Sequence, residues 1–443
     1  MEIRSIALFL LLIIVSMLAM GRPLDGGGQN PSYEFRYPVS LPLYPVVLAA
    51  HEIPALIGQR IGSINIYAFR GGKWISIPFQ LDRRDHNGLY QIPASQRDQK
   101  NESDSIVDGN DELALMTCDL GEKSPPGLLD SAVIAEVMLT DPRDGTRKWF
   151  YVRNELISQY PSMLRDYVSY DRDRDIIETD NYKIGFSRTL PFLMNHFQRK
   201  EPQQRDWSPN IMDTMKIRHF GKFLHKYDFE RTQDDYKSRL VAAKDGPIRV
   251  IRRTSNRVRM FWFIKTPAIE IDFVAYRHNL YVDTLIDLPF SIGTFFSDLH
   301  TRISLDWRDD LPELQAKIYS DNQREGLVID GNMTSGEKEF NNYSDRYIHM
   351  ASTYGDLLLS IAVPDSLPIR YRNYYSDDNS QVDTPENVSG HYGDIGFMTD
   401  NWEAVDRNLH HLLFSAYLTT VAKRSQAIET ARNAPDLDRD KNK

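Results

Sequence analysis

Arg249, Arg253, Arg257 and Arg259 fall close together on two apparent neighbouring strands, against an otherwise acidic background. A guanidinium presents its N–H donors as a rigid fork, so arginines on one sheet face can hold a carboxylate or sulfate through paired hydrogen bonds. An anionic polysaccharide offers such groups. Ideal alternation puts Arg249 and Arg253 on one face with Arg252 opposite, and Arg257 with Arg259 on one face of the next strand. The competing reading is a solvated sheet face whose arginines pair with nearby Asp and Glu. Tyr371, Tyr374 and Tyr375 stand beside Arg370 and Arg372, and an exposed tyrosine ring with its polar tip suits stacking on a sugar. These four arginines and three tyrosines are the candidate ligand-binding residues, whereas Phe261 and Phe263 read as core.

The acidic loop 104–112 offers hard oxygen ligands of the type calcium prefers, with Asp108, Asn110 and Glu112 as candidate ligands and Asp82, Asp85 and Asn87 as possible additions. The spacing departs from an EF-hand, because Gly109 sits at the second position of the loop and no bidentate acid follows at the twelfth. The favoured reading is an Asx-type turn leading into a strand over 113–116. Covalent catalysis finds little to work with. No GxSxG elbow occurs, and Cys118 falls in an expected strand without a neighbouring His, which reads as an inert thiol. His51-Glu52 lacks the second His of HExxH, and neither GxxxxGK[ST] nor GxGxxG is present. A carboxylate pair for glycoside chemistry is defined by separation in space, so it cannot be picked from 62 acids.

Several short motifs carry a resemblance. Pro78-Phe-Gln-Leu-Asp82, Asp108-Gly-Asn-Asp-Glu-Leu113, Met116, Asp119-Leu-Gly121 and Asp245-Gly-Pro-Ile-Arg-Val-Ile251 together resemble a pattern in uncharacterised exported bacterial β-rich proteins. The resemblance implies export and a β-sandwich body, and it brings no activity with it.

The elements that must position these residues are mostly strands. Alternating runs over 64–69 and 74–81 flank Gly71-Gly72, and runs over 132–139 and 148–152 flank a turn over 141–145, which predicts two hairpins. Runs over 248–253, 258–265, 268–276 and 280–288 follow at the spacing of a sandwich or barrel, with further strands over 357–363 and 369–375. Helical spacing is confined to 190–198, 311–319 and the C-terminal region. There, 402–421 reads either as one amphipathic helix or, as we favour, as a short helix capped by Asp400, a break at Asn408 and a buried strand over 412–418.

The fold class is therefore mainly β: two antiparallel sandwich-like modules with a few short helices. The expected layout is a signal peptide over 1–21, a flexible leader over 22–37, a β-rich module over 38–155, a charged connection over 156–182, a larger sandwich module over 183–425 and a charged disordered tail over 426–443. The apolar run 6–20 is short for a membrane span. Cleavage is expected after Gly21 or Ala19, an uncleaved anchor is the alternative, and no later stretch is apolar enough to cross a bilayer.

Composition sets the outer bounds. The chain has 443 residues, 41% of them hydrophobic and 26% charged, with Gly 24 and Pro 23, which excludes collagen-like and wholly disordered classes. A net charge of -9 argues against a nucleic-acid partner. One cysteine excludes an intramolecular disulfide, a Cys-based zinc site and a CxxC pair. The expected function is that of an exported, non-catalytic binding or scaffolding protein of the periplasm or cell surface, whose partner is a glycan or an envelope protein. The alternative is a carbohydrate-active or glycan-binding protein acting on an anionic polysaccharide.

Overall fold

Period-two alternation governs the strands. In Val133–Thr140 the residues Val133, Ala135, Val137 and Leu139 are buried while those between are half-buried, so one face packs and the other does not. The computed structural model describes residues 31–40, 45–93, 102, 105–156, 165–201, 204–261, 264–311, 314–385, 392–419, 425 and 428. The chain divides into two compact units, residues 1–166 and 167–443.

In the first unit a five-stranded sheet runs in the order Ser32–Arg36, Val133–Thr140, Arg147–Asn154, Ile64–Arg70 and Lys73–Ser76, and a three-stranded sheet comprises Pro45–Ala49, Glu112–Met116 and Phe79–Asp82. Val137, Phe150 and Ile66 of the first sheet share one apolar cluster with Leu48, Leu113 and Leu81 of the second, which makes the unit a sandwich. Both expected hairpins form, but the run expected over 74–81 divides: Lys73–Ser76 pairs with Ile64–Arg70, whereas Phe79–Asp82 pairs with Glu112–Met116 in the other sheet. Gly71 and Gly72 adopt φ of 55° and 76°, the left-handed turn that a side chain resists. Body structure starts earlier than Tyr37, because Ser32–Arg36 pairs in parallel with Val133–Thr140.

In the second unit the charged stretch expected as a connection is itself a hairpin, Val168–Asp171 with Ile176–Thr179. Val168, Tyr170, Ile177 and Thr179 alternate inward, a pattern too short to show through the Asp and Arg around it. Those charges build the turn. The Asp171 carboxylate accepts from the N–H groups of Asp173 and Arg174, and Arg252 fastens Asp175 with bonds of 2.7 and 2.5 Å. The hairpin continues into a four-stranded sheet with Tyr182–Phe186 and Met194–Arg199. The helix expected over 190–198 does not form. Asn195, His196 and Phe197 favour helix weakly, and pairing with Tyr182–Phe186 decides the outcome. Within 311–319, Lys317–Tyr319 is likewise a strand.

The remaining strands make two larger sheets. A ten-stranded sheet includes Arg249–Phe261, Ile269–Tyr276, Asn279–Asp287, Leu409–Thr419 and Gly355–Ala362 as neighbours. A five-stranded sheet has the order Tyr227–Arg231, Met212–Phe223, Phe296–Trp307, Asp394–Asp400, Arg370–Ser376. Their facing sides carry Ile217, Leu305 and Phe397 against Phe273, Leu280 and Leu359, and these belong to one apolar core. A cavity of about 90 Å³ remains between them. The C-terminal region is split as favoured: a single turn over Trp402–Ala404, then the strand Leu409–Thr419, with Asn401 rather than Asp400 before the turn. The strand pairs on both edges, with Asn279–Asp287 and Gly355–Ala362, which explains its apolar run. A short helix, Ser335–Phe340, is capped by Thr334. The expected signal peptide lies outside the described residues, as do nearly all of the expected tail and Asp104. The side chains of Phe261 and Phe263 are also outside them. Among the described residues, no helix is long and apolar enough to cross a membrane.

Candidate functional site

Arg249–Phe261 is a single thirteen-residue strand, not two. Thr254-Ser-Asn does not turn, because Asn256 sits buried and its Nδ2 donates to Thr254 Oγ1 and to the Ile269 carbonyl of the neighbouring strand. Arg249, Arg253, Arg257 and Arg259 consequently share parity on one strand, with roughly 30 Å between the first and last at about 3.3 Å per residue. Arg249 is fully buried and donates to Tyr276 Oη at 2.7 Å. Arg253 grips Asp272 with two bonds of 2.7 and 2.6 Å. Arg259, exposed, pairs with Asp235 at 2.7 Å, and Arg257 is exposed. Three of the four are thus engaged by the chain itself and spread along its length.

Tyr371 and Tyr375 turn to the core side, Tyr371 edge-on to Phe397 and Tyr375 fully buried with its hydroxyl on the Val328 carbonyl. Tyr374 turns to the opposite side. At the acidic loop the Asx turn is present: Asn110 N–H donates to Asp108 Oδ1 at 2.9 Å. The Asp111 carboxylate takes the N–H groups of Asp108 and Arg84, and Glu112 holds Arg84 at 2.6 Å and the Tyr90 hydroxyl at 3.0 Å. Among the described residues, no group of three or more His, Cys, Asp or Glu is arranged to hold a metal ion. Cys118 is half-buried in a single turn, Thr117–Asp119, not in a strand.

The side chains that converge are on the outer side of the five-stranded sheet. Register aligns them in three rows across neighbouring strands. Thr214, Asp306, Asp394 and Ser376 form one row; Lys216, Ser304, Gly396 and Tyr374 the next; and Arg218, Arg302, Met398 and Arg372 the third. The alternate residues Met215, Ile217, Ile303, Leu305, Ile395 and Phe397 face the core, which fixes the charged set on the other side. At the centre, Gly396 is required by close approach: a Cβ there would lie 2.1 Å from the Ile303 carbonyl oxygen.

Lys216, Arg218, Arg302, Ser304, Asp306, Tyr374 and Asp394 are buried, and Asp383 is half-buried. Lys216 Nζ lies 2.7 Å from Asp306 Oδ2 and 3.6 Å from Asp394 Oδ2. Arg302 donates to Tyr374 Oη at 2.8 Å and to the Asp383 carboxylate, while Arg218 Nε donates to the other oxygen of Asp383 at 3.2 Å. Arg218 also donates to Gln233 Oε1. Several polar atoms have no hydrogen-bond partner among the described residues: Arg302 Nε, Ser304 Oγ, Asp306 Oδ1 and both oxygens of Asp394. A buried polar atom left unbonded is costly, which sets these five apart from the satisfied polar groups around them.

Electrostatics follow from the packing. Burial, reinforced by the neighbouring Asp394 and opposed by Lys216, lifts the Asp306 carboxyl to about 7. Burial works against the Arg302 charge, but Tyr374, Asp394 and Asp383 outweigh it and hold the guanidinium above its ordinary value. Burial, assisted by Asp394 and opposed by Arg302, raises the Tyr374 hydroxyl, which stays neutral. The arrangement offers three cations, one phenol and three carboxyl groups, of which Asp306, beside Asp394, retains a proton near neutral pH.

Of the residues singled out from sequence, Tyr374 is the one found in this group. Lys216, Arg218, Arg302, Asp306, Asp383 and Asp394 were not singled out. The signal available was charge at alternate positions, Lys216/Arg218 and Arg302/Ser304/Asp306, between core residues. Such a pattern ordinarily marks a solvated face.

No protein-family model matches the chain, and no curated protein sequence matches it. Among solved structures it is similar to an alpha-mannosidase from Enterococcus faecalis V583, at 8% identity and a TM-score of 0.46 over 88% of this chain and 43% of that one. It is also similar to a protein in the glycosyl hydrolase family 38 from Enterococcus faecalis, at 7% identity and a TM-score of 0.44 over 88% of this chain and 44% of that one. The chain spans less than half the length of either.

Proposed function

We propose that this protein is exported and binds an acidic glycan, in the periplasm or at the cell surface, through the outer side of the five-stranded sheet. The observation that supports this reading is the convergence of buried Arg218 and Arg302 with Tyr374 beside unpartnered donor and acceptor atoms. Two guanidiniums match a carboxylate, while a mixture of free donors and acceptors matches sugar hydroxyls, which both give and take hydrogen bonds. Binding without cleavage is favoured over hydrolysis, since all three acids of the group are engaged by its cations, Asp306 and Asp394 by Lys216 and Asp383 by the two arginines.

Thermal shift and calorimetric titration of the full chain with acidic and neutral oligosaccharides test this. An acidic oligosaccharide should raise the melting temperature, since a ligand that prefers the folded state stabilises it. Arg302→Lys keeps the charge but removes the fork, and should weaken that binding at least tenfold. Equal binding by both proteins would refute the site, and release of shortened oligosaccharides would favour an enzyme.

A further inference from the structure

Asp383 reaches into the site from a segment that otherwise lies outside it. Gln381, Val382, Thr384 and Pro385 are exposed, Val382 at 61%, while the Asp383 carboxylate sits between two buried guanidiniums with one oxygen toward each. Arg218 also donates to the Asp383 backbone carbonyl at 3.3 Å. Buried charges of this kind require a counter-charge. The sheet's own acids in the group, Asp306 and Asp394, pair with Lys216, and although Asp394 also acts on Arg302 through space, the carboxylate hydrogen-bonded to both arginines comes from the loop. Even with Asp383 in place the subsite is not satisfied, because Arg302 Nε has no partner among the described residues and Arg302 is only 4% exposed.

We propose that Asp383 is a built-in occupant of the carboxylate subsite, and that an acidic sugar binds by placing its own carboxylate between Arg218 and Arg302 and displacing Asp383 outward. This rests on the glycan reading above and adds its regulation. The exchange swaps one carboxylate for another, so no bond is made or broken and the charge at the arginines is conserved. An internal carboxylate acts as a competitor at high effective concentration, which weakens the apparent affinity for the external one. Removing it lifts the competition while leaving the arginines in place.

The test compares the full-length wild type with Asp383→Asn, using sodium acetate, galacturonic acid, trigalacturonic acid and neutral maltotriose. Asp383→Asn should melt lower in plain buffer. Acetate and galacturonic acid should then raise its melting temperature by more than they raise the wild type's, with sodium chloride at equal ionic strength as the control. Trigalacturonic acid should bind the variant at least tenfold more tightly than the wild type, with maltotriose binding unchanged. If Asp383→Asn does not fold, Asp383→Glu retains the charge but misplaces the carboxyl, and it should also bind trigalacturonic acid more tightly than the wild type. Trigalacturonic acid binding wild type and variant equally would overturn the exchange while leaving the glycan reading intact. Acetate rescue with no saccharide bound by either protein would keep an exchangeable carboxylate subsite and overturn the acidic sugar as its ligand. Neither rescue nor binding would overturn both.

Discussion

Asp306 carries a proton-linked consequence of its own. Its folded-state value of about 7 lies well above the roughly 3.9 of an unfolded aspartate, so between these pH values the folded chain binds more protons than the unfolded one. Stability on this account is highest near the acid end of that window and falls as pH rises toward neutrality. This is the reverse of a salt-bridged carboxylate with a depressed pKa, whose contribution is lost on acidification. Asp306→Asn should flatten the decline in melting temperature between pH 5 and pH 8, beyond the flattening expected at any exposed aspartate; a slope equal to the wild type's would show that Asp306 is ionised throughout. Neither its burial nor the nearness of Asp394 was legible in sequence, because they depend on strands that lie 88 residues apart meeting in register.

At the scale of elements, the turn joining Met212–Phe223 to Tyr227–Arg231 is strained. Leu224 and His225 adopt φ of 50° and 59°, the left-handed pair of a primed hairpin turn, closed by Lys226 N–H donating to the Phe223 carbonyl at 3.2 Å. A leucine in that conformation costs roughly 1–2 kcal/mol, whereas Asn-Gly is suited to it. Replacing both, Leu224→Asn with His225→Gly, should stabilise the protein by about 1 kcal/mol in urea denaturation; an unchanged midpoint would mean that the exposed Leu224 side chain compensates through contacts of its own. The sequence does not advertise this turn, since neither residue is a turn former. The Gly71-Gly72 hairpin, of the same handedness, is plain because glycine marks it. The same contrast explains the segment 190–198: weak local preference yields to pairing with a neighbouring strand.

At the scale of the molecule, the chain is built as two units with separate apolar clusters. Lys216→Met removes the cation that pairs with both Asp306 and Asp394, and breaking a buried ion pair in this way costs about 3–5 kcal/mol. The loss should be confined to the second unit. Hydrogen exchange should quicken along Phe296–Trp307 and stay unchanged along Val133–Thr140; a uniform change would show that the units unfold together. The β class, both N-terminal hairpins and the Asx turn at Asp108 were legible in sequence, since each rests on local chemistry: period-two alternation, glycine at positive φ, a short polar side chain on its own backbone. The C-terminal region left a long helix and a split both open, and pairing of Leu409–Thr419 on its two edges decided for the split. The site was decided by tertiary structure alone. Arg249, Arg253 and Arg259 look like a clamp in sequence and are engaged by Tyr276, Asp272 and Asp235 in space. Arg218 and Arg302 look like an ordinary charged face, and they converge because antiparallel register sets them opposite each other and the distant Asp383 between them. Charge at alternate positions reports which side of a strand a residue takes, whereas what covers that side depends on chain far away in sequence.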